Sequence, residues 1–195
     1  MHGASEAIVR LDRKTLRVRS AHDAITHGVY LIPEDRRRAG LITEDVIRQN
    51  ITLPALSRYA TAGLIARDRE RRVAINVCDK LNVKAPSIEM KAGNLSGGNQ
   101  QKVVLAKWLS LDPRVLIFDE PTRGIDVGAK AEIYELMRQL AKSGVAILMI
   151  SSDMEEVLNI SDRVAVMHEG RLTGILARDA CTEENVMRLA VGAAN

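Results

Sequence analysis

One stretch of this 195-residue chain combines residue types that suit anion binding. The sequence LSGGNQQK, residues 95–102, places a serine and two glycines directly before a run with helical periodicity. Glycines at a helix start let an anion approach the backbone, where free N–H groups and the helix dipole point toward it. The Ser96 hydroxyl could donate a further hydrogen bond. Taken alone, Ser96-Gly97-Gly98 favours an ordinary N-cap and glycine turn over an anion site.

A second stretch, VLIFDEPT at residues 115–122, is an apolar run that ends in two acids. Carboxylates at the end of a buried parallel strand lie at the sheet edge where α/β proteins bind ligands. Asp119 suits Mg²⁺ coordination, and Glu120 suits polarisation of an attacking water. Adjacent acids at a strand end could also cap a helix, so this motif alone leaves both interpretations open.

The elements that must position these residues follow from hydrophobic periodicity. Short aliphatic runs alternate with helical patterns from Leu95 onward, as in a parallel α/β sheet. The runs at 115–118 and 145–150 are apolar without alternation, which predicts strands buried on both faces. In chain order the predicted elements are a strand at 28–32, helices at 43–50 and 67–81, a strand at 115–118, a helix at 129–140, a strand at 145–150, two strands joined by a tight turn at 163–176, and a short helix opening at 182.

Composition narrows the function classes. There are 28 basic and 25 acidic side chains, and residues 1–75 hold 14 of the basic and 9 of the acidic ones. This gradient favours a solvated basic face over an anionic partner, and an aromatic content of 3% argues against nucleic-acid binding by stacked rings. The longest aliphatic run, 145–150, is too short for a bilayer span, and the first residues lack a secretory segment. We therefore expect a cytosolic protein in which Cys78 and Cys181 are reduced thiols.

Together the two motifs resemble those of the ATP-binding cassette (ABC) ATPase family. Residues 95–102 are similar to its signature motif, 115–120 to its Walker B strand, and 123–126 occupies the position of its D-loop. The resemblance covers about residues 5–192, and the order and spacing of the motifs are specific. LSGGNQQK, EPTRGIDVGAK, ISSDMEEV and PEDRRRAGL further resemble the second cassette of tandem-cassette monosaccharide importers of the ribose, xylose, galactose and autoinducer-2 type.

This resemblance implies an α/β fold, a partial P-loop NTPase cassette with a mostly parallel sheet core and an inserted helical subdomain. It implies that residues 1–41 form the first part of the core, with a segment similar to the family's Q-loop. Residues 42–94 would form the helical subdomain that contacts the membrane permease. Residues 95–195 would carry the signature motif, Walker B and the rest of the core.

The resemblance also implies a composite site, with ATP between two cassettes. Ser96, Gly97 and Gly98 would touch the γ-phosphate of a nucleotide held by the partner cassette, whereas Asp119 and Glu120 would serve this chain's own nucleotide. The expected roles are nucleotide binding for Ser96, Gly97, Gly98, Gln100, Asp126 and Glu34, Mg²⁺ binding for Asp119, and catalysis for Glu120 and Ser152.

The sequence departs from the family pattern in three places. It contains no G-x-x-x-x-G-K-[ST] phosphate loop, the nearest match being GIDVGAK after Walker B, which suggests a C-terminal piece of a cassette. We therefore expect the chain alone to bind ATP poorly, to hydrolyse it negligibly and to leave a sheet edge and apolar surface uncovered. Glu34 stands where most cassettes have a glutamine. Ser152 stands where the family usually has its switch histidine. A serine can donate one hydrogen bond, but it carries no positive charge.

The resulting expectation is an energy-coupling ATPase subunit, or a fragment of one, from a bacterial monosaccharide importer. It would use ATP and Mg²⁺ at the cytoplasmic face of the inner membrane. Its partners would be a second ABC cassette, transmembrane permease subunits and, indirectly, a sugar-binding protein, with no nucleic acid. One alternative is a soluble ABC ATPase acting on nucleic acid or the ribosome, although the coiled coils or linkers usual in that class are absent. Another is an inactive truncated remnant.

Overall fold

The computed structural model describes residues 9–61 and 63–192, so the expectation for the first residues lies outside the described part. The chain divides into two compact units, Met1–Leu148 and Met149–Asn195. Helices and strands occur in both, which confirms the α/β class. The predicted division at residues 41 and 94 stays a prediction.

The strands are β1 (Val9–Leu11), β2 (Lys14–Leu16), β3 (Val29–Ile32), β4 (Ala60–Thr61), β5 (Leu64–Ile65), β6 (Val115–Asp119), β7 (Ala146–Ile150), β8 (Arg163–His168) and β9 (Arg171–Ala177). The α-helices are α1 (Ala21–Thr26), α2 (Ile47–Thr52), α3 (Leu56–Tyr59), α4 (Arg67–Lys80), α5 (Gly97–Leu109), α6 (Val127–Lys142), α7 (Met154–Ile160) and α8 (Glu183–Ala190). A π-helical turn covers Arg36–Gly40.

The sheet that carries the two acids has three strands in the order β3–β6–β7. Strand β3 runs parallel to β6, in a register that pairs Ile32 with Phe118. Alternate residues of β6 face the core, and Phe118 is 1% exposed. The expectation of burial on both faces is wrong for β7, because Leu148 and Ile150 are 54% and 49% exposed on the side of the strand that the described chain leaves open.

The helix predicted at 43–50 begins later, at Ile47. The side chain of Asn50 explains the shift. It accepts a hydrogen bond from the Ile42 amide at 2.8 Å and donates one to the Ile42 carbonyl at 2.9 Å. These bonds offer the preceding backbone an alternative to helical pairing, so residues 42–46 form a turn. Helix α4 begins at Arg67, as predicted.

Helix α5 is joined to its neighbours by a buried lysine. Lys102 is 4% exposed, and its ammonium pairs with Glu132 of α6 at 2.5 Å. The same ammonium donates to the Asn82 carbonyl, just beyond α4, at 3.0 Å. A buried ammonium requires such partners, so this lysine fixes α5 against both helices.

The second unit contains the predicted hairpin and helix. Strands β8 and β9 pair antiparallel around a turn at Glu169 and Gly170, which have φ of 47° and 76°. Such left-handed pairs are typical of tight hairpins. Thr182 caps α8 by accepting from the Asn185 amide at 3.2 Å. None of the helices in the described residues is long and apolar enough to cross a membrane.

Candidate functional site

Ser96 lies at the N-cap position of α5 and is exposed, with extended backbone angles of −61° and 159°. Within the described residues its hydroxyl makes no capping bond to the helix backbone. The hydroxyl oxygen instead accepts a hydrogen bond from the side-chain nitrogen of Asn99 at 3.0 Å. The interpretation of Ser96 as an ordinary capping residue therefore lacks its defining bond.

The two glycines that follow are required by close packing. A Cβ atom on Gly97 would lie 2.6 Å from the Arg36 guanidinium and 3.3 Å from the Gly124 carbonyl oxygen. A Cβ atom on the buried Gly98 would lie 2.7 Å from the Cβ of Ala129 in α6. These distances are shorter than van der Waals contact, so neither position can carry a side chain without a shift of the backbone or its neighbours. Close packing is thus a reason for glycine here, in addition to the predicted approach of an anion.

Arg36 connects the segments that the sequence places in the site. Its guanidinium donates to the Gln100 side-chain oxygen at 3.3 Å, to the Arg123 carbonyl at 3.2 Å and to the Gly124 carbonyl at 3.4 Å. Burial, and next the charge of neighbouring Arg37, lowers its pKa from the ordinary value.

Gln100 is fully buried, at 0% exposure. Its side-chain oxygen accepts from Arg36 and, at 3.4 Å, from Arg37, while its nitrogen donates to the Ala92 carbonyl at 3.3 Å. In the described residues this side chain holds the two arginines in place. Its expected contact with a nucleotide stays a prediction.

Asp119 and Glu120 lie where predicted, at the C-terminal end of β6, and both are half-buried. Glu120 has a φ of 46°, in the left-handed region that few non-glycine residues adopt. Its carbonyl accepts from the Arg123 amide at 3.2 Å, which turns the chain toward residues 123–126. The carboxylates therefore share one turn with the D-loop-like segment.

The carboxylates at the end of β6 are the side chains expected to bind Mg²⁺. The described residues contain no cluster of three or more histidine, cysteine or acidic side chains that could hold a metal. Mg²⁺ is commonly bound through one or two carboxylates plus substrate phosphates, with waters completing the shell. Asp119 at a strand end therefore fits Mg²⁺ that arrives with a nucleotide.

Asp126 and Glu34 already have protein partners. The Asp126 carboxylate caps α6 by accepting from the Ala129 amide at 2.9 Å. Glu34, whose side chain is half-exposed, forms an ion pair with Arg123. Glu34 is therefore linked through Arg123 to the contacts of Arg36, whereas Asp126 is engaged at the start of α6.

Ser152 belongs to the second unit and is exposed, two residues beyond the end of β7. The turn that carries it is fixed by Ser151, which donates to the buried Glu156 at 2.5 Å and accepts from the Asp153 amide at 3.0 Å. Asp153 in turn caps α7. The local structure therefore presents Ser152 at the surface on a defined turn.

Comparisons with known proteins agree with these features. A family model for ABC transporters matches residues 5–123. The ribose import ATP-binding protein RbsA of Geobacillus kaustophilus is 50% identical over 187 residues, covering 96% of this chain and 38% of that protein. The xylose import ATP-binding protein XylG of Moorella thermoacetica is 50% identical over 190 residues, covering 97% of this chain and 38% of that protein.

The chain thus spans well under half the length of these curated relatives. Among solved structures, cbiO1 from Clostridium perfringens, part of an ABC transporter complex, superposes with a TM-score of 0.72. It is 23% identical, and the match covers 92% of this chain and 69% of that one. The fold is therefore that of an ATP-binding cassette, and the chain belongs to the ABC transporter family.

Proposed function

We propose that this chain is part of the ATP-binding, energy-coupling subunit of a bacterial monosaccharide importer. The observation that carries the proposal is its 50% identity, over nearly all of its length, to ribose and xylose import ATP-binding proteins. Its partners are a second cassette, transmembrane permease subunits and, indirectly, a sugar-binding protein. The assembly lies at the cytoplasmic face of the cell membrane. No observation favours the nucleic-acid alternative.

In this proposal the start of α5 binds a nucleotide held by the partner cassette. Ser96 is exposed, which leaves the proton of its hydroxyl accessible to a phosphate oxygen. Gly97 leaves room beside the start of α5 for the Arg36 guanidinium and the Gly124 carbonyl. Gly98 acts indirectly, because it lets α5 approach α6.

The acids at the end of β6 serve this chain's own nucleotide. When bound, Mg-ATP supplies the γ-phosphoryl group, and the metal neutralises charge on the phosphate oxygens. Asp119 would hold the metal, and Glu120 would orient and polarise the attacking water. Asp126 and Glu34 fix the surrounding turns, and Ser152 would donate one hydrogen bond to the γ-phosphate.

The proposal is tested by sugar uptake in a strain of the source organism that lacks the gene for this protein. We expect loss of uptake of labelled ribose, xylose or galactose, restored by the wild-type gene. Glu120→Gln should not restore uptake, because it keeps the side-chain shape and removes the charge. The tagged protein should purify from detergent-solubilised membranes with its permease. Unchanged uptake of all three sugars, or recovery of RNA or DNA in place of the permease, would overturn the proposal.

A further inference from the structure

Asn99 links the Ser96 hydroxyl to the segment that follows α4. Its side-chain oxygen accepts from the Lys84 backbone amide at 2.8 Å, and its side-chain nitrogen donates to the Ser96 hydroxyl oxygen at 3.0 Å. The Asn99 side-chain amide therefore connects Lys84 with Ser96, which lies 12 residues further along the chain. Sequence reasoning assigned no role to Asn99.

The chemistry of the three groups fixes the direction of both bonds. A backbone N–H can only donate, so the oxygen of the Asn99 amide must face Lys84. The amide nitrogen then faces Ser96, and an NH₂ group can only donate as well. The hydroxyl oxygen of Ser96 is consequently an acceptor in this contact, and its proton must point elsewhere.

This arrangement prepares Ser96 as a hydrogen-bond donor. A serine hydroxyl that accepts one hydrogen bond becomes a better donor for a second, because neighbouring bonds in a chain polarise one another. The Ser96 side chain is exposed, so its proton is accessible to a ligand at the surface. Anionic oxygens are strong acceptors for such a donor.

We propose that Asn99 is a positioning residue that makes the Ser96 hydroxyl a dedicated donor to a phosphate oxygen; this rests on the proposed function. The same amide ties that donor to the Lys84 backbone, just beyond α4. Displacement of this segment would break the bond that orients Asn99. The strength of the phosphate contact therefore depends on the position of the segment after α4.

A kinetic double-mutant cycle in the intact transporter tests the inference. We expect Ser96→Ala to lower kcat/KM for ATP by about 100- to 1,000-fold, the range for losing one preorganised donor. Asn99→Ala should lower it by about 3- to 10-fold, a partial loss of the same interaction. Because Asn99 acts through Ser96, the double variant should be no slower than Ser96→Ala alone.

The Asn99→Asp variant distinguishes loss of the hydrogen bond that orients the Ser96 hydroxyl from loss of the folded structure. The carboxylate still accepts from Lys84, but it cannot donate to Ser96, so the serine proton turns toward it. Activity should fall to the level of Ser96→Ala, and Asn99→Asp in the Ser96→Ala background measures the effect of the added charge alone. The unfolding midpoint of each variant, from Trp108 fluorescence, shows that the fold is kept.

The outcomes distinguish the two proposals. Multiplying losses in the double variant, or wild-type activity of Asn99→Asp, would overturn the role of Asn99 and leave the proposed function standing. Full activity of Ser96→Ala would overturn the phosphate contact itself, and with it the role of Asn99.

Discussion

Replacing Ser96 by alanine should leave the stability of the chain almost unchanged, although serine at an N-cap usually stabilises a helix. Loss of a capping side chain costs about 1 kcal/mol, within a range of about 0.5–2 kcal/mol. Ser96 makes no capping bond within the described residues. The substitution removes only the exposed contact with Asn99, and water can replace the lost hydroxyl. We therefore expect a change in unfolding free energy below about 0.5 kcal/mol.

Asp126→Ala is the matched control, because Asp126 occupies the N-cap of α6 and makes the bond that Ser96 lacks. Its loss should cost about 1 kcal/mol for the cap and about 0.3–1 kcal/mol for the charge at the helix N-terminus. The two variants should thus differ by about 1–2 kcal/mol. With a urea m-value of about 2 kcal/mol/M, this corresponds to a midpoint shift of about 0.5–1 M.

Urea titrations followed by tryptophan fluorescence measure this difference. Trp108 is the single tryptophan, and it lies in the unit that contains both substitutions, stacked on Tyr30 at 4.9 Å. Its signal therefore reports unfolding of that unit. An equal loss of stability in Ser96→Ala and Asp126→Ala would show that the Ser96 hydroxyl caps α5, which would refute the reasoning from its missing capping bond.

Three further predictions concern packing, charge and thiol reactivity. Gly98→Ala should destabilise the chain by about 1–3 kcal/mol, because the new Cβ meets a methyl group of α6 at 2.7 Å; Gly128→Ala, whose Cβ meets a single atom at 3.5 Å, should be neutral or stabilising in the same urea titration. Lys102 lowers the pKa of the Glu132 carboxyl, so the stabilisation from this pair is complete above the pKa of the unfolded chain and is lost as pH falls through the pKa of the folded chain. Glu132→Gln should therefore flatten the acidic part of the plot of unfolding free energy against pH. An unchanged plot would refute the pairing. Burial raises the pKa of the Cys78 thiol to about 11. Iodoacetamide at neutral pH should therefore alkylate the half-buried Cys181 first, and Cys78 only after unfolding. Equal alkylation rates in the folded chain would contradict the burial of Cys78.

Local patterns were sufficient to predict the elements that carry the two motifs. The apolar run at 115–118 predicts β6, and the serine and glycines at residues 96–98 predict the start of α5. The hairpin around Glu169 and Gly170 also follows from a local turn signal. These features depend on neighbours in sequence, so the sequence contains the information needed to find them.

The role of Arg36 could not be predicted in this way. Three consecutive arginines are typical of a solvated loop, and the carbonyl groups that Arg36 contacts lie 87 and 88 residues further along the chain. The burial of Gln100 and Lys102 was not predicted for a related reason, because polar residues are ordinarily exposed. Their burial depends on partners that only the folded chain brings near.

At Glu120 the residue that best suits the backbone conformation differs from the residue that the proposed ATPase activity requires. Glycine there would relieve about 1–2 kcal/mol of left-handed backbone strain. The greater freedom of glycine in the unfolded chain would offset about 0.5–1 kcal/mol of that gain. Selection of this chain for heat resistance alone would therefore tend to replace Glu120 by glycine, and thermostable variants obtained that way should be screened for the loss of this carboxylate.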